Sequence, residues 1–139
     1  MKTVLLFGTF DILHTGHLNV FKQARKLGDR VVVIVARDVN VKKIKGRAPI
    51  NSEKERAELL RHITLIDQVI MGAKSNVYAL IKKIKPQVIA LGYDQNAYVD
   101  KLQEKLLEFK LHPKIVRLKP HNVQSKKSSK IKAQLLKSL

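Results

Sequence analysis

Two kinds of apolar pattern alternate along the chain. Short runs rich in β-branched residues, Thr3–Phe7, Arg30–Ala36, Gln68–Met71, Val88–Leu91 and Lys114–Leu118, read as strands. The stretch VVVIVA in the second run is apolar on both faces, as a central parallel strand covered by helices on each side requires. Amphipathic segments fill the gaps. Leu18, Phe21, Ala24 and Leu27 recur at helical spacing and Gly28 marks a stop. Ser52 to His62 opens with a capping signature, Ser52 followed three residues later by Glu55. Val77–Ile84 closes before Pro86, Ala97–Lys110 carries Leu102, Leu106 and Phe109 on one face, and Ser128–Leu139 places Ile131, Leu135 and Leu139 on one stripe. Strand and helix in alternation imply a doubly wound α/β domain, with a parallel sheet of about five strands spanning residues 1–139. Ligands of such sheets bind beyond the carboxyl ends of the strands. That directs attention to the loops after Phe7, Ala36, Leu91 and Leu118.

Composition narrows the partners. Lys and Arg number 28 against 11 acidic residues, a formal charge of +17, which favours anionic partners, with a solvated lysine surface an equal account of most of the lysines. Nucleic acid is a poor specific partner, since three Tyr and four Phe with no Trp offer few stacking platforms and no recognition motif is present. No cysteine is present, which removes disulfides and thiolate metal sites and suits a cytoplasmic protein. No apolar run approaches the roughly 20 residues of a membrane span, and MKTVLLFGTFD reads as a buried strand, not a secretory signal.

The loop after the first run is the most informative segment: Gly8-Thr9-Phe10-Asp11-Ile12-Leu13-His14-Thr15-Gly16-His17. Gly8 permits close backbone approach, and a helix beginning near Gly16 or His17 turns its positive end toward the same pocket. His14 and His17 lie three apart, so one turn brings both imidazoles to one phosphate. A lone histidine at a helix start is ordinarily a cap or a surface residue, and a pair can hold a metal weakly. This string sits where an α/β sheet binds phosphate, which favours the phosphate reading. The histidines are expected to carry charge in the reaction and to contribute little to stability.

GTFDILHTGH resembles the signature of the cytidylyltransferase-like branch of the HIGH-motif nucleotidyltransferases. The resemblance implies a Rossmann-like fold, nucleotide contact by Gly8, Thr9, Phe10, Thr15 and Gly16, and phosphate contact by His14 and His17. Asp11 would order the loop. After the second strand, Lys42-Lys43-Ile44-Lys45-Gly46-Arg47-Ala48-Pro49-Ile50 reads as an exposed basic loop able to clamp a polyphosphate. Lys43 and Lys45 are the preferred matches to the family's phosphate-binding lysines. Arg56, of an Glu55-Arg56 pair common in the family, would hold structure near this loop. Asp94 of Gly92-Tyr93-Asp94 would accept from the base, the ribose or a metal-bound water. Ser128 and Ser129 would supply hydroxyls to phosphate at a helix start.

Val-Ala-Arg-Asp at 35–38, the basic segment and Leu-Gly-Tyr-Asp-Gln at 91–95 together are similar to archaeal-type FAD synthases, which transfer AMP from ATP to FMN. Glycerol-3-phosphate cytidylyltransferases and sugar-phosphate (heptose-type) adenylyltransferases share the first motif but usually differ at the last. Lys126-Lys127 and the missing C-terminal cysteines depart from the FAD-synthase pattern and bear on the acceptor. The implied chemistry is in-line attack of an acceptor phosphate on the α-phosphorus. A divalent cation would arrive with the triphosphate, no protein metal cage is legible, and a homodimer is compatible with the resemblance. A flavin ring would need an apolar or aromatic wall, for which Phe10, Tyr93 and Tyr98 are candidates.

Overall fold

The computed structural model describes residues 1–96, 99–120 and 134. Five strands, β1 (Thr3–Gly8), β2 (Arg30–Val35), β3 (Gln68–Met71), β4 (Val88–Leu91) and β5 (Lys114–Arg117), form one sheet in the order β3-β2-β1-β4-β5. Every neighbouring pair is parallel. Each strand lies within one residue of its expected ends.

Alternation along the strands divides the interior into two cores, as period-2 geometry demands. Val4, Leu6, Val31, Val33, Val88 and Ala90 face one way, and meet Phe21 and Ala24 of α1 (Thr15–Leu27). Two further helices, α2 (Asp38–Lys45) and α3 (Glu53–Arg61), follow β2, and α3 adds Ala57 and Leu60 to that core. Leu5, Val32, Ile34, Ile89 and Leu91 face the other way, against Tyr78 and Ile81 at α4 (Ala79–Ile84) and Leu102 and Leu106 of α5 (Leu102–Glu108). Helices on both faces make the sheet doubly wound.

Four expectations change. The segment read as a basic loop, Lys42–Ile50, opens inside a helix that runs over Asp38–Lys45. Asp38 lies in its first turn, Lys42, Lys43 and Lys45 in its last, and Gly46 stops it in the left-handed region at φ 79°. Helix α1 begins at Thr15 with His14 as its N-cap, a residue or two earlier than expected. Helix α4 begins at Ala79, two residues late, and α5 is confined to Leu102–Glu108, with a turn over 99–101 before it. Ala97, Tyr98 and nearly all of the Ser128–Leu139 segment, including Ser128 and Ser129, lie outside the described residues, as do Lys126 and Lys127.

The strand order places β1 between β2 and β4, so the chain leaves β1 and β4 toward opposite sides. That is the topological switch point, where a crevice forms past the strand ends. The β1–β4 pairing covers Val4–Val88 and Leu5–Ile89. Beyond it the Gln95 carboxamide bridges the parting strands. Its nitrogen donates to the Phe7 carbonyl at 2.8 Å and its oxygen accepts from Gly92 N–H at 3.1 Å.

Candidate functional site

A cavity of about 730 Å³ opens over this crevice. Its walls come from the loop after β1, the start of α1, one face of α2, the β3 end at Gly72 and Ala73, and the Gly92–Asn96 turn. All four loops singled out by strand order contribute, the last through Lys119.

The Thr9–Asp11 loop is held from three directions. Phe10 has φ 52°, a left-handed conformation costly for an aromatic residue, so its surroundings must enforce it. Arg56, a fully buried cation on α3, donates to the Thr9 carbonyl at 2.7 Å, to the Asn51 carbonyl at 3.1 Å and to Asp38 Oδ1 at 2.7 Å. Asp11 accepts the Ile50 and Asn51 backbone N–H groups, each at 2.8 Å, and its own carbonyl accepts from Asn51 Nδ2 at 2.6 Å. Asp11 orders the loop and Arg56 supports it from below.

So held, Phe10 packs inward. Its ring lies 5.6 Å from that of His17, edge-on at 66°, and 5.6 Å from that of Phe21. It is 9% exposed, which leaves it little surface to offer a flavin ring. Gly8 is needed here for a reason the sequence does not reveal: a Cβ at that position would stand 3.0 Å from Phe10 Cζ.

The two histidines cap α1 reciprocally. His14 Nδ1 accepts from Gly16 N–H at 3.1 Å, and His17 Nδ1 accepts from His14 N–H at 3.2 Å. The ring centroids are 4.1 Å apart. Because both δ nitrogens accept, Nε2 is the ring nitrogen that carries the proton on each histidine. Both residues line the cavity. Burial, reinforced by His14 and by Lys45, lowers His17 from 6.5 to about 4, so it is neutral near pH 7. The expectation that these histidines matter little to the fold is therefore corrected: they satisfy amides at the helix start.

Helical geometry sorts the cations of α2. At about 100° per residue, Asn40, Val41, Ile44 and Lys45 share one face, and these four line the cavity. Lys43 is exposed and lies off that face, so the structure does not bring it to the site; Lys45 is there, close enough to depress His17. Thr15 is exposed and does not line the cavity, whereas Gly8, Thr9, Phe10, Gly16 and Asp94 do. Arg37, Arg47 and Lys119 also reach the rim. Together with Lys45 they set four cations against Asp11 and Asp94, a balance suited to a polyanion.

Sequence reasoning singled out Arg37 but none of its partners, and it missed Asn40, Glu53 and Arg117. Asn40 donates to the Ala73 carbonyl at 3.0 Å and Arg37 Nε to the Gly72 carbonyl at 2.6 Å, which ties α2 to the end of β3. Glu53 joins the same knot. It pairs with Arg37 at 2.6 Å and accepts Asp38 N–H at 2.9 Å, and this hydrogen bond with the Arg37 charge holds its carboxyl below the usual range. Arg117 donates to the Gly92 and Gln95 carbonyls at 2.8 and 2.6 Å, bracing the turn that carries Asp94. Each is polar and lies near a motif, but partners distant along the chain, most of them backbone carbonyls, leave no sequence signature.

Known proteins are similar to this chain in sequence and fold. The FAD synthase of Pyrococcus abyssi (strain GE5 / Orsay) is 49% identical over 116 residues, covering 83% of this chain and 78% of that protein. The FAD synthase of Thermococcus sibiricus (strain DSM 12597 / MM 739) is 44% identical over 131 residues, covering 92% and 88%. Among solved structures, the lipopolysaccharide core biosynthesis protein from Thermoplasma volcanium GSS1 superposes with a TM-score of 0.81 at 37% identity, over 88% of this chain and 99% of that one. The cytidylyltransferase-like family profile matches residues 5–134. The chain belongs to the cytidylyltransferase-like family and is a nucleotidyltransferase.

Proposed function

We propose that this chain is an FAD synthase that transfers AMP from ATP to FMN in the cytoplasm. The observation that carries the reading is the reciprocal histidine cap, which presents two Nε2–H donors at a cavity rimmed by cations. Relatives bearing the FAD synthase name at 44–49% identity supply the acceptor.

In this reading an FMN phosphate oxygen attacks the α-phosphorus in line. The new P–O bond forms as the bond to pyrophosphate breaks, and pyrophosphate leaves. No protein nucleophile is required. Catalysis is positioning plus stabilisation of charge on the transferring phosphoryl group. His14 and His17 donate to that group, and Lys45 adds charge beside His17. Gly8, Thr9 and Gly16 form the backbone cradle, with Phe10 wedged behind it. Asp94 takes the ribose, the base or a metal-bound water, and Ser128 and Ser129 supply hydroxyls from outside the described residues.

A divalent cation belongs to the reading as a companion of the triphosphate, screening its charge. The donor set fits an ion carried by its substrate. Of the two carboxylates that line the cavity, Asp11 directs both oxygens at backbone amides, and Asp94 is the one this reading sets to meet the ion through water.

The test is a matrix of ATP and CTP against FMN, glycerol 3-phosphate and sugar phosphates with several divalent metals, following pyrophosphate release and product chromatography. FAD from ATP and FMN is expected. CDP-glycerol or an ADP-sugar without FAD would overturn the reading.

A further inference from the structure

The cavity is chemically lopsided. The His14–His17 cap enters from α1, which packs on one face of the sheet, whereas α4 packs on the other. On the α4 side the wall is Ile34, Val41, Ile44, Val77, Tyr78 and Ile81. Two of these, Val41 and Ile44, come from α2. Ile44 is 51% exposed although it shares the cavity face of α2 with the buried Val41, and Val41 itself belongs to neither core of the sheet. Beside the buried Val41, the exposed Ile44 extends the apolar wall of the cavity with a surface that an apolar ligand could cover.

We propose that this aliphatic pouch between α2 and α4 seats the flat ring of the acceptor, with Ile44 and Val77 setting acceptor specificity. The proposal rests on the acceptor being a flavin. Its chemistry fits: the dimethyl-substituted carbocycle of a flavin has no hydrogen-bonding group, and suits a wall of aliphatic side chains. Adenine carries donors and acceptors around its edge and suits the more polar Gly92–Asn96 side of the cavity. Neighbouring positions on α2 also run in the order the acceptor needs. Ile44 faces the pouch, while the next residue, Lys45, is close enough to influence His17. A ring lodged at Ile44 therefore leads its phosphate tail toward Lys45 and the histidines. Phe10, buried under His17, plays no part in this wall.

The experiment is titration of FMN, followed by fluorescence anisotropy, with saturating α,β-methylene-ATP, which cannot transfer AMP. Wild type is compared with Ile44→Asn and Val77→Trp. Each variant is expected to weaken FMN binding roughly tenfold or more, the scale of losing or blocking one apolar side-chain contact. Affinity for α,β-methylene-ATP, read by calorimetry, should stay within about twofold. Ile44 is exposed, so Ile44→Asn tests the pouch even if the bulkier Val77→Trp fails to fold. Unchanged FMN affinity in Ile44→Asn, or weakening of the nucleotide analogue instead, overturns the pouch alone. A wild-type protein that takes up no FMN while binding the analogue and another phosphorylated acceptor overturns the FAD synthase reading itself.

Discussion

Two helices of this chain begin with the same hydrogen-bonding device built from different chemistry. At α3, Ser52 Oγ accepts Glu55 N–H at 3.2 Å while Glu55 Oε1 accepts Ser52 N–H at 3.1 Å. At α1 two histidines take those roles. The serine and glutamate use their useful acceptors on the helix and lie away from the cavity. Each histidine uses one nitrogen on the helix and keeps an N–H on the other. A histidine cap can thus serve stability and charge stabilisation with the same two rings. A serine–glutamate cap serves stability alone.

The largest expected effect comes from the residue that links the two helix starts. Arg56→Met leaves the Thr9 and Asn51 carbonyls and Asp38 without a buried donor. We expect a loss of about 3 kcal/mol or more in urea unfolding. A loss below about 1 kcal/mol would mean that Asp11 alone holds the loop and that the first cap does not depend on α3.

Next come the histidines. His14→Ala or His17→Ala should lower turnover roughly a hundredfold or more, the scale of one preorganised donor. Each should also cost about 1 kcal/mol of stability as a lost cap. His14→Ser separates the two roles, since serine caps well but has no second ring nitrogen. Its melting temperature should return close to that of wild type while turnover stays low. Recovered turnover in His14→Ser would reduce the motif to an ordinary cap.

How much of this was legible follows from what each feature depends on. The strands and the first loop depend on local pattern: VVVIVA for a doubly covered strand, GTFDILHTGH for the turn into α1. The second basic segment shows the opposite case. Its first four residues close α2, whose earlier Val39, Asn40 and Val41 are weak helix formers, so the run of lysines masks the Asp38 and Gly46 end signals. Charge along a sequence carries no direction. Only the helical twist reveals that Lys45 turns into the cavity and Lys43 away from it. The pouch was hidden for a related reason, because Ile34 and Ile81 read as core positions, and they are also that.

A smaller effect appears only in acid. His17 has an ordinary value of 6.5 and is lowered to about 4 by burial, with His14 and Lys45. Above pH 6.5 it is neutral in both folded and unfolded chains and contributes no pH dependence. Between pH 6.5 and 4 the unfolded chain takes up a proton that the folded chain refuses, so stability falls with pH across that window. His17→Gln should flatten the slope of unfolding free energy against pH in this range. An unchanged slope would show that His17 does not feel the burial its place beside Phe10 imposes.

The smallest expected effect tests the other side of the comparison. Ser52→Ala removes the oxygen that accepts Glu55 N–H, and Glu55→Ala removes the acceptor for Ser52 N–H. Either should cost about 1 kcal/mol, close to the stability loss of a histidine variant, because the device is the same. Turnover should stay within about twofold of wild type, since neither side chain lines the cavity. Denaturant midpoints and initial rates on one set of purified variants read both quantities together. A large loss of turnover in Ser52→Ala would show that the start of α3 reaches the site through Arg56 and Thr9. The contrast between a cap that only stabilises and a cap that also acts on phosphate would then dissolve.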